Sequence, residues 1–169
     1  MKYSLKTIEI ISLIAACILG PIFHSMYSWS GENPVAGLFF PVNESTWEHL
    51  KIIFFPVLVV SIWEYFILRE RYKNFICVKF LSVLVGMAAT IVMFYTYQGV
   101  YGKNSDVMNI LIYFVSVGAA YFFSYRMLSR QKLSDASDRS YYFAFVTMTL
   151  LFVTFSVFPP HFGLFAPPI

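Results

Sequence analysis

Five stretches of this sequence are apolar enough and long enough to cross a lipid bilayer as helices, and this feature restricts the possible folds most strongly. They cover approximately residues 8–26, 44–68, 75–97, 107–128 and 141–158, and a helix of about 20 apolar residues spans the hydrocarbon core of a membrane. Charged residues make up only 12% of the chain, whereas a soluble domain carries about 25%. We therefore predict an all-α membrane protein, a single polytopic bundle of five transmembrane helices over residues 1–169.

The basic residues are divided unevenly between the two ends of the predicted helices. Ten of the twelve lysines and arginines, including Lys2, Lys79 and Lys132, fall on one side of the membrane, and only Lys51 and Lys103 fall on the other. Because positively charged loops stay in the cytoplasm, this pattern predicts a multi-pass cell-membrane protein with a cytoplasmic N-terminus and an extracytoplasmic C-terminus. The net charge of +3 is small and scattered, which argues against a nucleic-acid partner.

The first apolar segment is expected to be a retained helix rather than a cleaved signal peptide, because its hydrophobic run continues past Cys17 without a polar break. Cys17 and Cys77 lie in apolar stretches without metal-site spacing, and we predict buried free thiols. Ala16 and Gly20 form a pair of small residues four positions apart, which favours close packing against another helix. A membrane partner subunit or a second copy of the chain would fit this pair.

Polar residues concentrate where the second apolar segment begins, in the sequence PVNESTWEHLK at residues 41–51. On a helix that begins at Glu44, the side chains of Glu44, Glu48 and Lys51 share one face, and His49 points about 100° away from Glu48. Because polar groups are costly to desolvate beside a membrane, the cluster indicates a functional site. It also has a structural interpretation, in which these residues only cap the helix and pair their charges.

All three histidines of the chain fall at the same predicted end of the bundle as this cluster. His24, His49 and His161 lie near the extracytoplasmic ends of the first, second and fifth segments. Three protein ligands can hold zinc and leave a fourth position for water. We therefore consider these histidines as zinc ligands, with Glu48, Glu44 or Asp106 as a further ligand or as the general base.

Two functions of different classes fit these features. The first is a pocket that binds or transports a small cationic solute or ion, with carboxylates above aromatic walls; its candidate lining is Glu44, Trp47, Glu48, Lys51, Tyr95, Tyr97 and Asp106. The second is a metal-dependent hydrolase or transferase that acts on an outer-leaflet lipid or lipid-linked substrate, with Glu48 or Glu44 as the catalytic base. A structural bundle without a ligand is the third possibility.

The motif at residues 41–51 resembles the DUF6512 family of small bacterial multi-pass membrane proteins of unknown function. The resemblance extends over almost the whole chain and includes Phe23-His24, the sequence YSWSG at 27–31, Trp63-Glu64-Tyr65, Tyr95-Thr96-Tyr97 and Pro159-Pro160-His161. The chain departs from the family's pattern near its end, where Ala166-Pro167-Pro168 stands in place of an acidic Asp-Pro. The resemblance supports a site at the motif and implies no particular activity.

Overall fold

The computed structural model describes residues 4–131 and 138–167, and these residues form helices and no strand. The helices are α1 (Leu5–Trp29), α2 (Pro34–Gly37), α3 (Thr46–Leu68), α4 (Phe75–Tyr101), α5 (Asp106–Ser129) and α6 (Asp138–Val157), followed by a 3₁₀ turn at Gly163–Phe165. All but α2 are long and apolar enough to span a membrane, which confirms the predicted five-span all-α fold. The positions Lys2, Lys132 and Pro168, used in the predictions, lie outside the described residues.

The start of α3 differs from the prediction, which began this helix at residue 44. The observed N-cap is Ser45, whose Oγ accepts a hydrogen bond of 3.3 Å from the backbone N–H of Glu48. The side chain of Asn43 accepts a hydrogen bond of 2.8 Å from the N–H of Ser45 and so supports the cap from the preceding loop. Because the helix begins at Thr46, Glu44 lies outside it and does not share a helix face with Glu48 and Lys51.

The other four spanning helices pack around α3, which contributes the largest part of the buried core. Helix α1 packs against α3 and α5, while α4 packs against α5 and α3. Helix α6 lies at the periphery against α4 and α3, and most of its apolar surface is exposed. Exposed apolar surface on long helices is what a surrounding lipid bilayer covers. Neither Cys17 nor Cys77 forms a disulfide within the described residues; Cys77 is buried as predicted, whereas Cys17 is only partly buried.

The two small residues of α1, Ala16 and Gly20, pack against α5 of the same chain rather than against a partner subunit. Ala16 is fully buried, and its carbonyl accepts a hydrogen bond of 2.7 Å from the hydroxyl of Tyr113 on α5. A Cβ atom placed on Gly20 would overlap the Tyr113 hydroxyl and ring. The small side chains therefore let α1 and α5 approach closely, and this contact fixes Tyr113.

This close approach predicts that Gly20→Ala destabilises the bundle, because the added methyl group displaces the Tyr113 ring. Overpacking of this kind lowers the free energy of unfolding by about 1–3 kcal/mol. Gly118→Ala on α5 is the matched control, since no atom lies within 4 Å of its new Cβ. Unfolding of both variants in detergent micelles tests the contact. Equal stabilities of the two variants would contradict it.

Candidate functional site

Three potential metal ligands meet where α1 ends and α3 begins, and we call this end of the bundle the histidine end. The Nε2 atom of His24 lies 3.7 Å from Oε1 of Glu44, and Nε2 of His49 lies 3.3 Å from Oε2 of the same carboxylate. No two of the three potential ligand atoms are more than 4.8 Å apart. The structure thus brings together one residue from α1, one from α3 and one from the loop between them.

The second ring nitrogen of His49 makes a hydrogen bond that fixes the role of the first. Its Nδ1 lies 3.1 Å from the carbonyl oxygen of Ser45, and because a carbonyl only accepts hydrogen bonds, Nδ1 carries the proton. In a neutral His49 the Nε2 lone pair therefore faces the carboxylate of Glu44. Two acceptors cannot attract each other at 3.3 Å unless a proton or a metal ion lies between them.

The electrostatics of the group keep Glu44 ionised. A hydrogen bond from His49 lowers the pKa of the Glu44 carboxyl, and the charges of His49 and His24 lower it further, whereas partial burial acts in the opposite direction. The side chain is 63% exposed, so solvent screens these interactions. At neutral pH the carboxylate is therefore available to an imidazolium ion or to a metal ion.

The residues of this group fit a zinc ion. Two atoms bound to a tetrahedral zinc at about 2.0–2.1 Å lie about 3.4 Å apart. The 3.3 Å between His49 Nε2 and Glu44 Oε2 matches this separation, whereas the three ligand atoms as a set lie within 4.8 Å of one another and have to move closer to bind the ion. The side chains of His24 and Glu44 are 41% and 63% exposed, so they have room to move until the three ligand atoms can bind the same ion. Two imidazoles and one carboxylate are ligands that zinc accepts, and they leave one tetrahedral position open.

A cleft of about 510 Å³ opens beside these ligands, between α1 and α5. His24, Glu44 and His49 line one wall, and Asp106 and Asn109 from the first turns of α5 line another. Apolar side chains complete the cleft: Pro21, Ile52, Ile110, Tyr113 and Phe114. A second cavity of about 230 Å³ shares His24 and Glu44 with the first. An ion bound by the three ligands would therefore face free space.

The residues of α5 that line the cleft show a spacing that the sequence analysis did not use. Asp106, Asn109, Ile110, Tyr113 and Phe114 follow one another at intervals of three, one, three and one residues, which places them on one face of a helix. Asp106 and Asn109 could be recognised in the sequence as polar residues at the start of a helix. Its apolar members carried no functional signal, because apolar residues are expected everywhere on a spanning helix.

Glu48 and Lys51 form a buried ion pair that is separate from the histidine group. The ammonium of Lys51 donates to Glu48 Oε2 at 2.7 Å, and the two side chains are 0% and 3% exposed for Lys51 and Glu48. Lys51 also donates to the carbonyls of Gly37 at 2.8 Å and Phe40 at 3.2 Å. The N–H of Val42 donates to the same Glu48 oxygen at 3.0 Å. The pair thus fastens the loop before α3 to the helix.

The hydrogen-bonding atoms of this pair are occupied within the protein. The hydroxyl of Ser156 on α6 donates either to the second oxygen of Glu48 at 3.0 Å or to the carbonyl of Phe152 at 2.7 Å. The three N–H groups of Lys51 have the three acceptors named above. Neither residue lines the cleft. The structure thus gives Glu48 and Lys51 a structural role, whereas the sequence analysis considered both for ligand binding and Glu48 as the catalytic base.

Two of the predicted aromatic ligands also have structural contacts. Trp47 is buried against Phe152 and Phe165, with ring centroids 4.8 and 5.0 Å apart. The hydroxyl of Tyr97 donates to Asn104 at 2.7 Å or to Asn109 at 2.8 Å and so holds the loop between α4 and α5. Neither aromatic side chain lines the cleft.

The other predicted residues of this end are divided between the cleft and the surface. Tyr95 contacts Thr46 and the carbonyl of Gly163, both at 3.4 Å, where the C-terminal segment folds back over α3. His161 lies exposed in that segment and is not part of the group formed by the other two histidines. Of the residues predicted to bind a ligand, Glu44 and Asp106 line the cleft.

The buried ion pair predicts that Glu48→Gln and Lys51→Met each destabilise the protein. Each change leaves the other member buried without its charge partner, which costs about 3–5 kcal/mol. Lys103→Met, at an exposed lysine of the same end, should leave stability unchanged. The double variant should lose less than the sum of the single losses. Unfolding in detergent checks this, and wild-type stability of Glu48→Gln would show that the pair does not hold the loop.

The comparisons with known proteins identify the family but no activity. The family model described as "Family of unknown function (DUF6512)" matches residues 1–169. The chain therefore belongs to the DUF6512 family, which confirms the resemblance seen in the sequence. No curated protein and no solved structure matches it significantly.

Proposed function

We propose that this DUF6512 member binds one divalent transition-metal ion, with zinc as the best fit, through His24, Glu44 and His49. The observation that carries the proposal is the convergence of three ligand atoms from three separate segments to within 4.8 Å of one another. The ion is then the cationic solute that the sequence analysis predicted for this end of the bundle. Its open coordination position faces the cleft between α1 and α5.

The hydrogen bond from His49 Nδ1 to the carbonyl of Ser45 supports metal binding over a simple ion pair. Histidine ligands of metals regularly donate their second ring N–H to a carbonyl or carboxylate, which orients the ring and makes the other nitrogen a better ligand. The alternative is an imidazolium–carboxylate pair at 3.3 Å, and such exposed pairs contribute little stability. A zinc ion bound to one oxygen of Glu44 would account for the approach of both Nε2 atoms to this carboxylate.

The charge distribution supports an extracytoplasmic position for this site in a cell membrane. At the opposite end of the bundle the exposed basic residues of the described chain are Lys6, Arg69, Arg71, Lys73, Arg126, Arg130 and Arg139. The histidine end has Lys51 buried and Lys103 exposed. The positive-inside rule then orients the basic end toward the cytoplasm.

The proposal predicts about one zinc ion per chain in protein purified without a nickel column, measured by elemental analysis. His24→Ala, His49→Ala and Glu44→Gln should each lower the zinc affinity at least about tenfold, because two ligands hold zinc poorly. His161→Ala should retain the ion, since this exposed histidine is outside the group.

Two results would contradict the metal site. One is protein that stays metal-free after incubation with zinc and removal of the excess. The other is wild-type zinc content in the His24, His49 and Glu44 variants while each remains folded. Loss of zinc in His161→Ala alone would assign the ion to a different set of ligands.

A second function, metal-dependent hydrolysis of an amphiphilic substrate, is favoured by one further observation. The cleft combines a three-ligand group and Asp106 with the apolar side chains of Ile110 and Phe114, which are 56% and 43% exposed on the surface of α5. An apolar chain reaching the site from the lipid would contact them. A three-ligand metal site activates water for hydrolysis, and Asp106 is the carboxylate of the cleft that remains to accept its proton.

The hydrolase function predicts that zinc-loaded protein hydrolyses a fluorogenic long-chain phosphodiester or ester in mixed micelles. Asp106→Asn should reduce kcat by about 10²–10⁴-fold, the usual contribution of a general base, while the zinc content stays at the wild-type level. Equal rates for the wild type, Asp106→Asn and His49→Ala would reject the hydrolase and leave metal binding as the function.

A further inference from the structure

Three charged side chains lie buried together in the half of the bundle opposite the histidine end, and we call them the triad. The ammonium of Lys79 on α4 lies 2.9 Å from Glu9 of α1, and 2.9 and 2.8 Å from the two carboxylate oxygens of Glu64 on α3. Their side chains are 1%, 4% and 0% exposed for Lys79, Glu9 and Glu64. Lys79 was counted with the loop lysines in the sequence analysis, yet it lies inside the bundle.

The charges of the triad do not balance if all three groups are ionised. Two carboxylates and one ammonium give a net charge of −1 in a region that water does not reach. Among the described residues, no further basic side chain forms an ion pair with either carboxylate. An uncompensated charge buried in this way is strongly disfavoured. The site must therefore take up one positive charge.

The other polar groups around the triad are neutral and come from every helix packed against it. Ser124 of α5 donates to Glu9 at 2.8 Å, and the ring of Tyr121, also on α5, lies with its centroid 5.0 Å from the Lys79 ammonium. The neighbouring polar residues of the other three helices are Ser12, Ser61 and Ser82. None of these groups carries a charge that offsets the excess carboxylate.

Buried polar atoms without hydrogen-bond partners lie beside the triad. They indicate that the triad binds a small positively charged group. Among the described residues, Glu9 Oε2 and the hydroxyls of Ser61 and Tyr121 are buried without a hydrogen-bond partner. The gap beside Lys79, lined in part by Tyr121 and Ser124, leaves no volume for a water molecule. A hydrated metal ion does not fit there, whereas a proton needs no such volume.

We propose that the triad is a proton-binding site in which the carboxyl groups of Glu9 and Glu64 together hold one proton at neutral pH. The proton comes from solvent and forms an O–H bond on one of the two carboxyl groups, which changes the charge of the triad from −1 to 0. Lys79 remains an ammonium ion and pairs with the carboxylate that stays ionised. This site is independent of the metal site at the histidine end.

The charge balance makes a specific prediction about glutamine variants. Glu9→Gln and Glu64→Gln each leave one ammonium and one carboxylate, so each variant is neutral without a bound proton. Both should fold with a Tm within about 4 °C of the wild type. The double variant leaves Lys79 unpaired and should lose roughly 10 °C or more.

Infrared spectroscopy of the full chain in lipid nanodiscs tests the bound proton directly. The wild type at neutral pH should show the carbonyl band of a protonated carboxyl group, and this band should shift in protein labelled with ¹³C-glutamate. Both Glu9→Gln and Glu64→Gln should lose the band, because removal of either acid removes the need for the proton. Glu70→Gln, at an exposed glutamate, is the control and should retain it.

Three results would overturn the proposal. The first is the absence of a protonated-carboxyl band in the wild type at neutral pH. The second is a band that remains in both single variants, and the third is a band that does not respond to the glutamate label. The labelling experiment uses the wild type alone, so an absent band or an unshifted band overturns the proposal even if a variant does not fold.

Discussion

The candidate site depends on the buried ion pair between Glu48 and Lys51. This pair holds the loop that follows α2, because Lys51 binds the carbonyls of Gly37 and Phe40 while Glu48 accepts the N–H of Val42. The loop leads directly to Glu44, which lies just before the N-cap of α3. The pair acts together with the hydrogen bond between Asn43 and Ser45 and with the ring contact between Phe40 and Phe23 to orient this segment, so that the Glu44 carboxylate lies between two histidines. Glu48 and Lys51 of the motif thus hold the loop that carries Glu44 and are not themselves part of the candidate site.

The sequence predicted the fold well because hydrophobic length and polar breaks are local properties. It indicated the end of the bundle where histidines and a glutamate meet for the same reason, since polar residues beside an apolar run are costly to desolvate and therefore stand out. It assigned the roles less well: Glu48 and Glu44 look alike in the sequence, and the start of α3 at Thr46 separates them. His161 shares an end with His24 and His49, but only tertiary packing determines which histidines meet. Glu9 and Lys79 are distant in the sequence, so their pairing carried no local signal.

The two polar sites of the bundle lie on the same helices. Glu9 and His24 are fifteen residues apart on α1, and His49 and Glu64 are fifteen residues apart on α3. At 1.5 Å per residue, each pair is separated by about 22 Å along its helix. Between them α1 contacts α5 through Ala16 and Tyr113. Helices α1 and α3 are therefore joined by polar interactions near both ends.

X-ray absorption at the zinc edge of the purified protein tests most directly whether His24, Glu44 and His49 hold a metal ion. We predict nitrogen and oxygen neighbours at about 2.0–2.1 Å, with the multiple-scattering pattern of two imidazole rings. A shell of water oxygens without imidazole scattering, or sulfur neighbours at about 2.3 Å, would contradict the assignment.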